Sequence, residues 1–588
     1  MDDPEKTMDK TEYSPQDSPR LPEYGEAMAQ HRSWSTRFVD SFKRDPNAHA
    51  TPKGTVGADG RVFDVEAAAA ATATSPLQRH LKGRHLQMIA IGGSIGTGLF
   101  VGSGSALAHG GPASLLIAFI LVGIMLYNTV HALGEMAVLF PVAGSFSAYS
   151  TRFIDPAWGF AMGWNYAMQW LVVLPLEIVA ATITIEYWNT SINPDAWVSI
   201  FLVLIIVINL FGVKGYGEAE FVFAIIKVIA VVGYIILGII LTCGGGPDGG
   251  YIGGKHWHNP GAFNNGFKGL CSVFVTAAFA FAGTELVGLA AAETANPRKS
   301  LPTAVKQVFW RITIFYIISL TLVGLLVPYD DDRLLNAASS VDARASPFVI
   351  SITNAGISGL PSVFNVVIMI AVLSVGNSSI YGSSRTLAAL ADQNQAPKIL
   401  GYIDRKGRPI VAIGIASLLG FLAFFAGSDK QTDAFNWMLA LSGLSSIFTW
   451  GSICLAHIRF RAAWKKQGHT LDELAFRSQP GVFGSWIGFI FNCLVLIAQF
   501  WVGAWPIGYG DDGPSEQANS FFQAYLATPI VILFYIPYKL WFKTKVARSH
   551  NMDIATGIRD LNVAELIEEE KAERANWPKW KRVYKYFC

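Results

Sequence analysis

The sequence predicts an all-α polytopic membrane protein with twelve transmembrane helices. Three observations lead to that expectation. Only 15% of the 588 residues are charged while 52% are hydrophobic, whereas a soluble globular chain carries about 25% charged residues. Twelve apolar runs approach or exceed the ~20 residues a helix needs to cross a bilayer. Two of these runs, the first and the sixth, are interrupted by glycine at corresponding places in two halves of the chain, as in transporters built from inverted repeats.

The runs lie near 86–107, 113–136, 158–187, 196–213, 219–242, 267–291, 308–328, 361–381, 410–427, 433–456, 483–504 and 520–542. Backbone polar groups in lipid must bond within a helix or a closed barrel. These runs are too long and too continuously apolar for barrel strands. Residues 346–360 add a candidate outer helical piece before the eighth run. Residues 1–85 are polar apart from an alanine run at Ala67–Ala71. They read as a disordered tail, because such a segment buries too little apolar surface to fold alone. Residues 86–542 form the membrane domain and 543–588 a second tail, within which 553–575 reads as a short helix.

Loop cations orient the chain. Sixteen Lys and Arg lie in the loops on one side, against five on the other. The richer set includes Arg152, Arg311, Arg385, Arg408 and Arg461. That side is expected to be cytosolic, together with both termini.

Several function classes drop out. A net charge of +2 gives no reason to expect a nucleic-acid partner. The five cysteines are far apart and form no CxxC pair, so neither a disulfide framework nor a metal site is expected, and no cofactor is implied. No HExxH, Cys/His cluster or suitably placed GxSxG suggests an enzyme.

The first run contains "AIGGSIGTGLFVGSG", residues 90–104, with six glycines. Each costs about 1 kcal/mol against alanine in a helix interior. A phosphate-cradling loop would need GxxxxGK[ST] or a GxGxxG after a strand, and neither is present. Two readings remain. Gly92, Gly96, Gly98 and Gly102 offer small-xxx-small packing; alternatively the helix breaks in mid-membrane. The second reading predicts a counterpart, and the sixth run supplies one in "FAFAGTELVG", residues 279–288. The sixth run lies five helices after the first, an odd step, so the two run in opposite directions. Unwound backbone at 94–98 then presents N–H groups at a half-helix N-terminus, which suits a carboxylate. Carbonyls freed near Ala280, Phe281 and Ala282 suit an ammonium group. A carboxylate and an ammonium held this close describe an α-amino acid.

Over residues 76–588 the chain resembles the fungal amino-acid permeases of the amino acid–polyamine–organocation superfamily. The resemblance rests on "LQRHLKGRHLQMIAIGGSIGTGLFVGSG" (77–104), "GEMAVLFPVAGSFSAYSTRFIDPAWGFAMGWNY" (134–166) and "FAFAGTELVGLAAAETANPRKSLP" (279–302). "SSRTLAALADQNQAP" (383–397) and the aromatic end "WPKWKRVYKYFC" (577–588) add to it. Residues 163–188 look most like the broad-range general permeases.

The resemblance implies a LeuT-type fold of two inverted five-helix repeats plus two helices, with helices one and six broken. It also implies proton-driven import of amino acids at the plasma membrane. Ser94, Ile95, Gly96, Thr97 and Gly98 would hold the substrate carboxylate. Phe279, Ala280, Phe281, Ala282 and Gly283 would supply amine-binding carbonyls and an aromatic gate; Phe279 or Phe281 is alternatively an ordinary core or lipid-facing ring. Ionisable residues within spans are functional candidates by default. Glu177 is associated in the family with side-chain selection or proton coupling, against a structural hydrogen bond. Lys227 occupies a position where sodium-independent members carry a lysine, against snorkelling to the interface. Glu285 follows the second interruption and is a candidate for coupling. Glu135 reads as structural, with a hydrogen bond expected for His131 one turn before it. Lys6 and Lys10 are candidate ubiquitin acceptors, which would make ubiquitin-ligase machinery a partner besides substrate, protons and membrane lipid. Cys588 forms no CaaX box, and the sequon at Asn189 is expected to stay unused. The alternatives to a broad-range importer are a narrow permease, for example for proline, and a non-transporting amino-acid sensor.

Overall fold

Away from water a helix satisfies its own backbone, and the apolar runs wind into helices in the computed structural model of the chain. The structure describes residues 34–44, 63–188, 191–247, 250–335, 346–427, 431–508 and 513–558, with scattered positions beyond. Its helices are α1 (Trp34–Ser41), α2 (Val65–Ala73), α3 (Gly83–Gly92), α4 (Ser103–Leu139), α5 (Phe146–Phe153), α6 (Pro156–Ile185) and α7 (Pro194–Leu210). There follow α8 (Gly212–Thr242), α9 (Gly266–Phe281), α10 (Leu286–Ala290), α11 (Pro297–Arg311), α12 (Ser319–Leu326) and α13 (Pro347–Asn354). The last are α14 (Leu360–Asp392), α15 (Ile410–Leu419), α16 (Gln431–Lys466), α17 (Gly481–Ala504), α18 (Pro514–Tyr525) and α19 (Ala527–Phe542). Local sequence sets several starts. Asp155, Asn193 and Asn296 each cap a helix whose first residue is proline, accepting from Ala157, Asp195 and Lys299 N–H. Proline there loses no helical bond.

Among the described residues no strand forms, and eight helices are long and apolar enough to cross a membrane, or nine if the bent pair α18–α19 counts as one. The expected first run is divided, α3 ending at Gly92 and helix resuming at a π-helical turn, Gly98–Gly102, that leads into α4. That second piece runs on into the expected second run through a bend at Gly111, where φ is +76° and only glycine sits without strain. The fourth and ninth expected runs form shorter apolar helices, Pro194–Leu210 and Ile410–Phe424. Helices α6, α9 and α14 are mostly buried, whereas α8 and α17 turn most of their apolar surface outward, as a lipid-facing rim does.

The tails depart from expectation. Residues 1–85 do not read as one disordered segment, because α1 and α2 fall within them and pack on the helical body. Ala68, Ala69 and Ala71 of α2 are buried. Phe42 lies under the Arg408 guanidinium, 4.4 Å from its ring centre, and Arg408 also donates to Ser41 Oγ at 3.0 Å. These contacts come from the loop before α15, over 350 residues away, so no local pattern announces them. Lys6, Lys10 and most of 559–588 lie outside the described residues, as does Asn189. At the other end, 547–557 is tied to the body rather than free. Ala547 N–H donates to Ile154 O at 2.9 Å and Arg152 Nη1 to Thr556 O at 2.9 Å.

Asp553 fastens this segment. Burial pushes its carboxyl upward, but Arg152 and the amides of Ala555 and Thr556 outweigh burial and hold it below the usual range. A carboxylate lowered on folding stabilises above its ordinary pKa and loses that contribution as pH falls through the lowered value. Docking is therefore complete at neutral pH. Asp553→Asn is expected to cost about 1–3 kcal/mol locally, seen as faster limited proteolysis within 547–557; cleavage at the wild-type rate would show that the carboxylate does not fasten the tail.

Candidate functional site

The site begins where two helices stop. After Gly92 the chain leaves helix until Thr97–Gly98. After Phe281 it turns through Ala282 (ψ 145°) and Gly283 (φ +95°) before α10. The two interruptions touch. A Cβ added to Gly98 would lie 2.4 Å from Ala280 Cα, and one added to Gly283 would lie 3.2 Å from Gly93 O. Glycine is needed at 98 for close approach and at 283 for its conformation as well.

Carbonyls at the end of α3 lack intrahelical donors, and side chains from distant helices supply them. Arg311 Nη1 donates to Ala90 O at 2.6 Å while its Nη2 donates to Thr284 Oγ1. Lys227 Nζ donates to Gly92 O at 2.5 Å. The Tyr316 hydroxyl lies 2.9 Å from Ser94 O and 2.8 Å from Ala280 O, sharing its hydrogen between the two interruptions. Cations at a helix C-terminus also oppose the helix dipole. All three of these side chains are buried.

Between the interruptions lies a small, nearly closed cavity lined by Ser94, Gly96, Thr97, Gly98, Phe279 and Ala282 together with Glu177, Trp170, Val173 and Val375. Thr97 Oγ1 donates to Glu177 Oε2, while Glu177 Oε1 has no hydrogen-bond partner among the described residues. Ile95, Ala280, Phe281 and Gly283 do not line the cavity. Phe281 packs instead against Phe119 and Tyr316, with ring centres 5.6 and 4.3 Å away. Of the two candidate phenylalanines, Phe279 therefore borders the cavity. Of the carbonyls expected to be free near Ala280, Phe281 and Ala282, two have internal partners: Ala280 O accepts from Tyr316 and Phe281 O from the Thr284 hydroxyl. Each keeps a second lone pair.

Glu285 accepts from Gly283 N–H, the Tyr166 hydroxyl and Trp450 Nε1, each at 3.2 Å. It thus joins the second interruption to α6 and α16. Lys227 does not snorkel; it is fully buried and also donates to Ser374 Oγ at 2.8 Å. Glu135 accepts from Arg461 Nε at 2.5 Å, Arg461 Nη2 at 2.8 Å and Ser478 N–H at 2.7 Å, and lies 3.0 Å from His457 Nε2. His131 makes no bond to it. Both His131 ring nitrogens lack a hydrogen-bond partner among the described residues, and the ring packs on Tyr127 at 4.4 Å. Arg152, Arg311, Arg385, Arg408 and Arg461, counted among the loop cations, are buried and engaged with acids, carbonyls or rings.

Arg311, Tyr316 and Trp170 escaped the sequence reading. Arg311 falls three residues inside the seventh apolar run, close enough to its end to pass for a loop cation. Tyr316 is one aromatic among many, and nothing local marks it. Tyr316→Phe removes the donor shared by two buried carbonyls, at an expected cost of about 1–3 kcal/mol. Amide exchange at 93–98 and 281–285 should quicken by about tenfold or more in that variant; unchanged exchange would show that the hydroxyl does not hold the interruptions together.

The family model for amino acid permeases matches residues 85–551. The chain is 62% identical to the general amino-acid permease GAP2 of Candida albicans, over 94% of this chain and 93% of that one. It is 55% identical to the general amino-acid permease GAP1 of Saccharomyces cerevisiae, over 98% and 96% of the two chains. It is 51% identical to the cationic amino acid transporter 1 of Schizosaccharomyces pombe, over 95% and 90%.

Proposed function

The chain belongs to the amino acid permease family, a family of membrane transporters rather than enzymes, and from that premise we propose that it is a proton-coupled importer of amino acids of broad range. It works by alternating access at the plasma membrane, with both termini cytosolic. Twelve spans form a LeuT-type inverted repeat, in which the divided first run and the pair α9–α10 are the broken helices. The observation that carries this reading is the small cavity between the two interruptions, lined by residues of both and by the Glu177 carboxylate.

Ser94, Gly96, Thr97 and Gly98 face the substrate carboxylate at the opening of a half-helix, while Ile95 N–H is turned to Gly92 O. The amine lies toward Phe279 to Gly283, and Phe279 covers the side chain. Glu177, with one oxygen free of hydrogen bonds, selects among side chains or takes part in coupling. Lys227 and Glu285 each tie a titratable group to an interruption, so a change of charge at either alters what holds the half-helices. Lys6 and Lys10 are the proposed ubiquitin acceptors. Broad range is favoured over a narrow permease because the relatives at 62% and 55% identity both bear the name of general permeases.

The test is uptake of labelled alanine, leucine, lysine, glutamate and proline by cells lacking their own permeases, with and without a protonophore. Uptake of most of the panel, lost with the protonophore, is expected. Uptake of one amino acid alone would replace broad with narrow range. Uptake indifferent to the protonophore would remove proton coupling. No uptake by correctly localised protein would favour a sensor.

A further inference from the structure

The surroundings of Lys227 contain an acid that this reading leaves unused. Glu220 lies seven residues before Lys227 on α8, two turns along the same face, and both side chains are fully buried. Glu220 Oε1 is 3.4 Å from Lys227 Nζ. Its other oxygen, Oε2, accepts from Ser374 Oγ at 2.7 Å and from Ser378 Oγ at 3.4 Å. Ser374 Oγ is also the group to which Lys227 Nζ donates, at 2.8 Å. The hydrogen bonds thus run in one sense, from ammonium to serine hydroxyl to carboxylate. Beyond them, Ser378 Oγ lies 3.1 Å from the Tyr216 hydroxyl, one turn nearer the start of α8. That end of α8 abuts the cation-rich loop of Lys406 and Arg408.

The other charged groups nearby are accounted for. Glu177 on α6 is the second carboxylate acting on Lys227. From α3, Arg84 and His85 are engaged with Glu218, at 2.5 and 3.1 Å. From α14 the near groups are the two serine hydroxyls, Tyr381, whose hydroxyl donates to Glu293 at 2.6 Å, and Arg385, which is paired with Glu293 at 3.4 Å. Glu220 therefore has one cationic partner, joined to it directly and through one hydroxyl.

We propose that Glu220 is the immediate proton acceptor for Lys227, a relay on its cytosolic side with Ser374 as the bridge. This rests on the coupling role proposed for Lys227. The step balances: an ammonium N–H bond breaks as its proton passes to Ser374 Oγ, and the O–H bond of Ser374 breaks as its proton passes to Glu220 Oε2. A neutral amine and a neutral carboxylic acid result. In the dry interior this transfer removes two charges at once, and both partners stay hydrogen-bonded. Glu220 then releases its proton to cytosolic water, and a proton from the external solution restores the ammonium. While neutral, Lys227 loses its charge-assisted bond to Gly92 O, so α3 is released when the proton leaves.

The test uses the full chain in proteoliposomes enclosing a pH-sensitive dye, with whichever amino acid of the panel above is taken up fastest. With an inward proton gradient, Glu220→Gln is expected to lower both accumulation and accompanying proton influx by about tenfold or more. Exchange of labelled for unlabelled substrate across the membrane should fall far less. Glu220→Asp should recover part of the influx, and Ser374→Ala should slow it several-fold. Influx and accumulation within about twofold of wild type in Glu220→Gln, with both lost in Lys227→Met, would overturn the relay and leave the lysine's role standing. Normal accumulation in Lys227→Met would instead overturn that role. If Glu220→Gln is not monodisperse, Glu220→Asp and Ser374→Ala decide, and wild-type influx in both overturns the relay.

Discussion

Lys227→Met is expected to leave amino-acid binding measurable while lowering proton-driven accumulation by about a hundredfold or more, the scale of a lost acid–base group. The lysine is fully buried and donates to Gly92 O, Ser374 Oγ and Glu220. Methionine matches its length but supplies neither charge nor donor. The variant also leaves Glu220 as a buried carboxylate without its cation, at a cost of about 3–5 kcal/mol. Part of any loss would then be loss of folded protein. The double variant Lys227→Met/Glu220→Gln separates the two effects, because it removes both charges. It should recover surface abundance without recovering accumulation. Accumulation at the wild-type level in either variant would show that the ammonium is a structural prop.

The second large effect is expected at Gly98. A Cβ there meets Ala280 Cα at 2.4 Å and Ala280 N at 2.8 Å, both backbone atoms of the facing interruption. No rotamer change relieves that contact, so the interruptions must separate. Gly98→Ala should therefore cost about 1–3 kcal/mol or more and abolish uptake. At Gly102 the nearest atom is the Thr276 methyl at 3.2 Å, and Gly102→Ala should keep most activity. Surface abundance measured beside uptake tells loss of fold from loss of site. Equal tolerance at both positions would contradict the close approach of the two segments.

The same contacts sharpen the reading of the glycine-rich stretch. Packing and interruption are not alternatives there. Gly92 is pressed on Ala224, Gly96 on Val375 and Gly98 on Ala280, while helix is absent between the first and last of them. What the sequence showed as a cluster of small residues is where three neighbours approach an unwound segment.

Much of the fold was legible because its causes are local. Apolar runs of membrane length and glycine clusters beside helix ends each act within a few residues of themselves. Ser94, Gly96, Thr97, Gly98, Phe279 and Ala282 line one cavity with Glu177. The choice between Phe279 and Phe281 was not legible, since two residues along a helix turn a side chain by about 200° and the alphabet marks both alike. Nor was the ordering of α1 and α2, whose partners lie hundreds of residues away.

The sequence by itself determined the class of molecule, the apolar segments that become helix, and the family to which the chain belongs, because hydrophobicity and backbone propensity are written residue by residue. Tertiary structure alone decided which polar groups meet. Tyr316 reaches Ser94 across 222 residues, Arg311 reaches Ala90 across 221 and Lys227 reaches Gly92 across 135. A buried carbonyl or carboxylate must find a donor, but nothing in its own segment says which helix will bring one. That choice follows from how the helices pack.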